Sequence, residues 1–326
     1  MASKVIYFDK VFPAFKELLQ SHNAEGLELL YWYEMNEAEK EASLKEADYF
    51  LVATTKITKD MLNKAAKVRM VQKTGIGVDN IDLQAAFDLG IPVCNTPGGN
   101  ATGVAELTIG MILSLYRKLN VLDRATKNGE WLMWELRPSS YEMSGKTHGF
   151  IGFGNIGKTT AKLSQAFGTN VIYYDKYRLP ESEEKTLGVT YMEMDEVLKN
   201  ADIISLHIPL LPETRNLIST RELSLMKPTA ILINVSRGHI VDEKALAQAL
   251  ENNVIAGAGF DTFASEPVEK DNPLLKFDNV LATPHIGAGT RDTLNKVLGL
   301  AFQNFSLIEK GENPKFVVNK VEKARL

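Results

Sequence analysis

A single cysteine, Cys94, stands among the 326 residues. One thiol cannot build an intrachain disulfide framework, and its scarcity fits a reducing compartment, so a cytoplasmic protein is expected. Cys94 closes the apolar run Ile91-Pro92-Val93-Cys94, which reads as a buried structural thiol. No apolar stretch approaches the roughly 20 residues of a membrane span. Met1-Ala2-Ser3-Lys4 runs directly into the strand-like Val5-Ile6-Tyr7-Phe8, without a signal-peptide layout. Positive charge is not in excess: 37 Lys and Arg against 41 Asp and Glu leave a formal net charge of −4, which argues against a nucleic-acid partner. The His, Cys, Asp and Glu residues show no metal-ligand spacing, so no metal is expected. No Gly-x-Ser-x-Gly turn offers a serine nucleophile. Internal repeats and low-complexity segments are missing too.

What is present is alternation of strand-like and helix-like segments. Strands are expected over Lys4–Phe8, Leu27–Tyr33, Tyr49–Val52, Arg69–Thr74 and Ile91–Cys94, with helices over Phe12–Gln20, Glu37–Glu46, Thr58–Ala66 and Leu83–Leu89. Such alternation implies parallel strands with crossover helices, one α/β domain. The turn cluster Asn95-Thr96-Pro97-Gly98-Gly99-Asn100 reads as a hinge. A long apolar helix, Ala101–Leu119, follows it. Trp131 and Trp134 read as packing or dimer contacts. A second alternating series then starts at His148, with strands over Val171–Tyr174, Asp202–Ile208, Ala230–Val235, Ala256–Phe260 and Asn279–Ala282 and a helix over Asp242–Asn252 capped by Asp242. The helical stretch Asp292–Ile308 is too little for a domain of its own and is expected to return to the first one across a second hinge near Ile286–Gly289. The domains expected are thus residues 1–100 with 290–326, and 101–289. Glu322–Leu326 reads as a loose polar tail.

The second series opens on Phe150-Ile151-Gly152-Phe153-Gly154-Asn155-Ile156-Gly157, followed by a helical pattern, an apolar strand and Asp175. Gly152 permits a tight turn, Gly154 lets backbone N–H groups approach a pyrophosphate, and Gly157 lets helix and strand pack closely. The helix N-terminus offers unpaired donors and a positive dipole to phosphates. A carboxylate at Asp175 can accept both ribose hydroxyls and would repel a 2′-phosphate, which favours NAD over NADP, although Lys176 and Arg178 nearby weaken that exclusion.

Strand ends are where open α/β sheets bind ligands. In the first series they carry Ala53-Thr54-Thr55-Lys56 and Gly75-Ile76-Gly77-Val78-Asp79-Asn80, whose glycines would turn backbone N–H groups towards an anion; a plain glycine turn capped by Asp79 and Asn80 is the alternative. In the second series, Arg237 follows a buried strand and has the planar fork that holds a carboxylate and polarises an adjacent carbonyl. His285 can give a proton to a carbonyl oxygen, and Glu266 can hold that imidazole and favour its charged form. Each alone has an ordinary alternative: a surface ion pair, a solvated Glu-Pro, a structural histidine. His207 ends a strand and competes with His285, but Ile208-Pro209 after it suggests packing on the adenosine side.

Taken in order, Gly152-x-Gly154-x-x-Gly157, Asp175, Asn234-Val235-Ser236-Arg237-Gly238, Asp261-x4-Glu266-Pro267 and Thr283-Pro284-His285 resemble the D-isomer-specific 2-hydroxyacid dehydrogenases. Gly75–Asp82 and Ala105-Glu106-Leu107-Thr108 extend the likeness over nearly the whole chain. The resemblance implies an α/β protein of two doubly wound domains, a Rossmann NAD-binding domain and a flavodoxin-like substrate domain with a cleft between them. It implies an NAD-dependent enzyme interconverting a D-2-hydroxy acid and its 2-oxo acid, with Arg237, Glu266 and His285 catalytic. The cofactor residues implied are Gly152, Gly154, Asn155, Ile156, Gly157, Asp175, His207, Ile208, Pro209, Val235, Ser236, Asp261 (near the nicotinamide carboxamide) and Gly287. Substrate residues are Thr54, Gly75, Ile76 and Gly77, with Arg237, and most members are homodimers. The phosphoglycerate-using branch is nearest, but its relatives usually carry arginine where this chain has Ala53, so an unphosphorylated acid is expected over 3-phosphoglycerate unless Lys73 and Lys56 compensate. An NADH-sensing, corepressor-like protein is the alternative from another class.

Overall fold

A computed structural model describes residues 2–321. Met1 and the expected polar tail Glu322–Leu326 lie outside the described residues. The chain splits into two compact units, Met1–Asn100 with Thr290–Leu326, and Ala101–Gly289.

In the first unit, β1 (Lys4–Tyr7), β2 (Glu28–Tyr31), β3 (Tyr49–Val52), β4 (Met70–Lys73) and β5 (Val93–Cys94) form a parallel sheet in the order β2-β1-β3-β4-β5, the flavodoxin-like winding. β3 is buried at every position, as expected of a parallel strand covered on both faces. Ile6, Phe8, Phe50 and Val71 pack one face, and Tyr7, Tyr49, Leu51 and Met70 pack the other against Leu298, Phe302 and Phe305 of the return helix Arg291–Glu309. Cys94 is fully buried in that second layer, and burial pushes its thiol up to about 12.

The second unit contains β6 (Thr147–Ile151), β7 (Asn170–Tyr174), β8 (Val189–Tyr191), β9 (Ile203–Leu206), β10 (Ile231–Asn234), β11 (Gly257–Phe260) and β12 (Val280–Ala282), all parallel, in the order β12-β11-β10-β9-β6-β7-β8. The winding reverses direction beside β6, next to the glycine-rich turn. This is the Rossmann arrangement with one strand more, and such a reversal is where doubly wound sheets bind ligands. The fold is therefore α/β, two doubly wound parallel sheets.

Three local readings differ from expectation. The expected strand Leu27–Tyr33 stops at Tyr31 and continues as the 3-10 turn Trp32–Glu34. The helix expected over Ala101–Leu119 ends at Tyr116, because Lys118 is left-handed (φ 55°) and starts a second helix, Leu119–Lys127. The third is the stretch between β7 and β10, where no element but β9 is expected and the structure has β8, too short at three residues to show a period, and the short helices Glu181–Leu187, Met194–Asn200 and Thr220–Leu225.

Candidate active site

The turn after β6 has the form its glycines suggested. Gly152 has φ +92°, and a Cβ there would sit 2.6 Å from the His207 carbonyl oxygen and from Ile208 Cγ2; a Cβ at Gly157 would meet the Gly152 oxygen at 2.6 Å. Strand, turn and helix thus touch backbone to backbone. Gly154, by contrast, faces open space and caps the helix Asn155–Ala166. The first intrahelical bond runs from Lys158 N to Gly154 O at 2.9 Å, and among the described residues the N–H groups of Asn155, Ile156 and Gly157, the first-turn donors, meet no acceptor. At the end of β7, Asp175 Oδ2 accepts from Phe153 N (2.7 Å) and Oδ1 from Tyr177 N (2.9 Å). A concave glycine turn, free helix-end donors and an adjacent carboxylate suit the pyrophosphate and ribose of a dinucleotide. Ile208 is half-buried, Pro209 exposed and Val235 buried.

Arg237, Glu266 and His285 come from the ends of three neighbouring strands. Asn234, buried at the end of β10, organises the first: its Oδ1 accepts from Ser236 N (3.1 Å) and Oγ (2.8 Å), and its Nδ2 donates to Arg237 O (2.9 Å). Arg237 Nη1 donates to Ser236 O at 2.8 Å. A Cβ on Gly238 would fall 1.9 Å from the Phe263 carbonyl carbon; only glycine lets the arginine turn lie on the backbone of the loop that carries Glu266. Glu266 Oε1 accepts from Phe263 N at 3.0 Å and Oε2 meets His285 Nδ1 at 2.8 Å. Burial pushes the Glu266 carboxyl up, but His285, the Phe263 N–H and the charge of Arg237 outweigh it and hold it below its usual range. An ionised acceptor on Nδ1 leaves Nε2 as the imidazole's free end. The side chains of His285 and Glu266 are 41% and 40% exposed, open enough to be met by a small molecule.

The backbone at His285 is left-handed, φ 54°, a conformation that a non-glycine residue keeps only where its surroundings impose it. Asp261, buried at the end of β11, imposes it. Its Oδ1 accepts from Thr283 Oγ1 (2.6 Å) and Ile286 N (2.8 Å), and its Oδ2 from Gly287 N (2.8 Å). Asp261 and Gly287, expected as cofactor contacts, thus meet each other as the clasp of the loop bearing His285. The sequence carries a local signal for Asn234, a polar residue at the end of an otherwise apolar buried strand, but none for the side chain of Thr283, which follows a strand that is exposed at its end.

In the other unit, the loop after β3 wraps around Asp9, a buried carboxylate that accepts from Ala53 N, from Thr54 N (2.7 Å) and Oγ1 (2.7 Å), and from Thr55 N (2.8 Å). The donors of Thr54, expected to meet substrate, are therefore spent within the unit. Lys73 is buried as well, and its Nζ donates to Ala53 O and to Asn80 Oδ1 (2.7 Å); it ties two loops together. Gly75 and Ile76 use their carbonyls, accepting from Thr96 N (3.1 Å) and Asn95 Nδ2 (2.9 Å). Among the described residues no acceptor is paired with the N–H of Gly75, Ile76 or Gly77.

His207 belongs to a buried chain that the sequence did not disclose. Thr169 Oγ1, Ser164 Oγ, His148 Nδ1 and Nε2, Ser205 Oγ and His207 Nε2 follow one another at 2.7, 2.9, 2.9 and 2.9 Å. Ser205 of β9 pairs with Phe150 of β6, and His148, two residues earlier on β6, shares that face by the two-residue period, as does His207 just beyond the end of β9. Burial holds both imidazoles neutral, His148 well below its ordinary value and His207 down to about 3. In the unfolded chain both protonate below about pH 6.5. Their contribution to stability is therefore full above that pH and is lost as pH falls towards the folded values. His148→Gln, which does not titrate, is expected to flatten the fall in unfolding free energy between pH 6 and 4 by about 1.4 kcal/mol per pH unit, one proton's worth. Denaturant titrations across that range check it; an unchanged slope would mean His148 is protonated in the fold.

A family model described as the NAD binding domain of the D-isomer specific 2-hydroxyacid dehydrogenases matches residues 109–287. The chain is 41% identical to the D-3-phosphoglycerate dehydrogenase of Methanocaldococcus jannaschii over 85% of its own length, but spans only 52% of that relative. It is 40% identical to the glyoxylate reductase of Thermococcus litoralis over 85% of each chain. The crystal structure of the TT0316 protein from Thermus thermophilus matches 97% of this chain and 99% of that one, with a TM-score of 0.87 and 30% identity.

Proposed function

Because this chain belongs to the D-isomer-specific 2-hydroxyacid dehydrogenase family, NAD-dependent oxidoreductases of 2-hydroxy acids, we propose that it interconverts a small unphosphorylated D-2-hydroxy acid and its 2-oxo acid. The observation that carries the reading is the 2.8 Å contact of His285 Nδ1 with the ionised Glu266, which leaves Nε2 to move a proton. In the reductive direction Arg237 binds the carboxylate of the 2-oxo acid and draws charge onto the carbonyl oxygen. NADH, when bound, supplies the hydride taken up at C2. His285, charged and steadied by Glu266, gives the Nε2 proton to the oxygen as it becomes negative, so that the alcohol leaves neutral and the imidazole returns to its uncharged form. Gly152, Gly154, Asn155, Ile156, Gly157 and Asp175 hold the dinucleotide, with Ile208, Pro209, Val235 and Ser236 beside it. The unit Ala101–Gly289 is accordingly the cofactor domain and the other the substrate domain, where the N–H groups of Gly75, Ile76 and Gly77 are assigned to a carboxylate.

A phosphorylated substrate is disfavoured by two features of the substrate domain. Ala53 carries no charge, and the Lys73 ammonium is buried and bonded to Ala53 O and Asn80. We further assign the protein to the cytoplasm and to a homodimer; the exposure of Trp131 (76%), Trp134 (65%) and Met133 (53%) supports a subunit contact. The test is NADH consumption by purified protein with glyoxylate, pyruvate, hydroxypyruvate, branched-chain 2-oxo acids and phosphohydroxypyruvate in parallel. Glyoxylate or hydroxypyruvate is expected to exceed phosphohydroxypyruvate in kcat/KM by at least about tenfold, the worth of one charge-assisted contact. A preference for the phosphorylated acid would overturn the substrate assignment.

A further inference from the structure

The ribose end of the nucleotide site carries charges of both signs, and the sequence leaves their balance open. Asp175 would repel a 2′-phosphate, while Lys176 and Arg178 would attract one. Lys176 is 71% exposed and lies 3.7 Å from the similarly exposed Glu213, a loose pair screened by solvent. Arg178 is held quite differently. Its Nε and Nη2 donate to the two carboxylate oxygens of Glu184 at 2.9 and 3.0 Å, and its guanidinium stands over the Tyr191 ring, 5.0 Å from the centroid. Glu184 is itself buried at 8% exposure and fixed by the Tyr173 hydroxyl, which donates to Oε1 at 2.8 Å and accepts from Leu179 N at 3.0 Å. The forked pair therefore rests on a second set of bonds from β7 and from the loop itself. Arg178 and Tyr173 keep the Glu184 carboxyl below its usual range, and the Glu184 carboxylate in turn raises the guanidinium further.

We propose that Glu184 is a specificity-determining residue: by gripping Arg178 three positions beyond Asp175, it withholds a guanidinium from the ribose 2′ position and keeps the site selective for NAD over its 2′-phosphorylated analogue. The inference rests on the cofactor reading above. It makes NAD preference the work of two carboxylates, Asp175 by repulsion and Glu184 by sequestration.

The test is binding of NADH and NADPH to the full chain without substrate, followed by nucleotide fluorescence. Glu184→Gln keeps an acceptor for Tyr173 but loses the charge that holds Arg178. It is expected to tighten NADPH binding by about tenfold relative to NADH, and the double change Glu184→Gln with Arg178→Gln should abolish that gain. Arg178→Gln alone should leave NADPH affinity unchanged, since the guanidinium is already occupied. An unchanged NADPH-to-NADH ratio in Glu184→Gln, with NADH still bound, overturns the inference. So does weaker NADPH binding in Arg178→Gln alone, a readout that does not depend on the Glu184 variant folding. Wild-type protein that binds neither nucleotide would instead overturn the cofactor reading, and the inference with it.

Discussion

Replacing His285 by alanine is expected to lower kcat by roughly 10²–10⁴-fold, the usual share of a positioned acid–base group, while the NADH dissociation constant stays nearly constant. The two quantities separate because they rest on different bonds. In the proposed reaction, proton transfer rests on the imidazole that Glu266 Oε2 holds at 2.8 Å. Dinucleotide binding is there assigned to the Gly152–Gly157 turn, the first donors of the helix Asn155–Ala166 and the carboxylate at Asp175. The backbone complicates the alanine variant, because position 285 is left-handed (φ 54°), a conformation asparagine tolerates better than alanine. His285→Asn is the cleaner probe, since it keeps that tolerance and removes the proton donor; the same loss of turnover in both variants would assign it to the imidazole. Glu266→Gln keeps an acceptor for Nδ1 but no charge, and turnover should fall by a smaller factor. Equal turnover in wild type and His285→Asn, measured by single-turnover NADH oxidation, would remove His285 from the reaction.

Much of this site was legible because its parts have short-range reasons. Gly152 must turn with φ +92°, Gly157 must lie against the Gly152 backbone, and a charged residue following a buried strand requires a purpose; each shows in a few adjacent letters. The alternating segments revealed the parallel sheets for the same reason. What stayed hidden depends on partners far apart in the chain. Asp9 and Thr54 are separated by 45 residues, so nothing near Ala53-Thr54-Thr55-Lys56 signals that its N–H groups already surround a carboxylate. Lys73 looked like a cation available to phosphate, and only its burial beside Ala53 O and Asn80 shows otherwise. His148 lies 57 residues from Ser205, and its neutrality follows from being enclosed, a property no local spacing encodes. The break at Lys118 escaped because a lysine gives no warning of a left-handed residue, as glycine would.

Asp261 provides the sharpest separation between a group that meets the cofactor and one that shapes the site. The resemblance assigns it to the nicotinamide carboxamide, yet both its oxygens are engaged by Thr283 Oγ1, Ile286 N and Gly287 N, and it is 1% exposed. Those three bonds hold the turn in which His285 is left-handed. Asp261→Asn is nearly isosteric but must place an amide N–H either against the Gly287 N–H or against the Ile286 N–H, leaving a buried donor unpaired at a cost of about 1–3 kcal/mol. Asp261→Ala empties the clasp and is expected to cost about 3 kcal/mol or more of unfolding free energy, since three bonds to one buried carboxylate go together. Because the loop then has no reason to keep His285 beside Glu266, kcat should fall by about 10²-fold or more even where the variant is fully folded. The distribution of the loss decides the role. A clasp predicts a large fall in kcat, a lower melting temperature and little change in NADH affinity; a direct contact with the cofactor predicts weaker NADH binding with stability preserved. Nucleotide titration and thermal melting of the same two variants distinguish them, and an Asp261→Asn protein with wild-type stability and turnover but weakened NADH binding would reassign Asp261 to the cofactor.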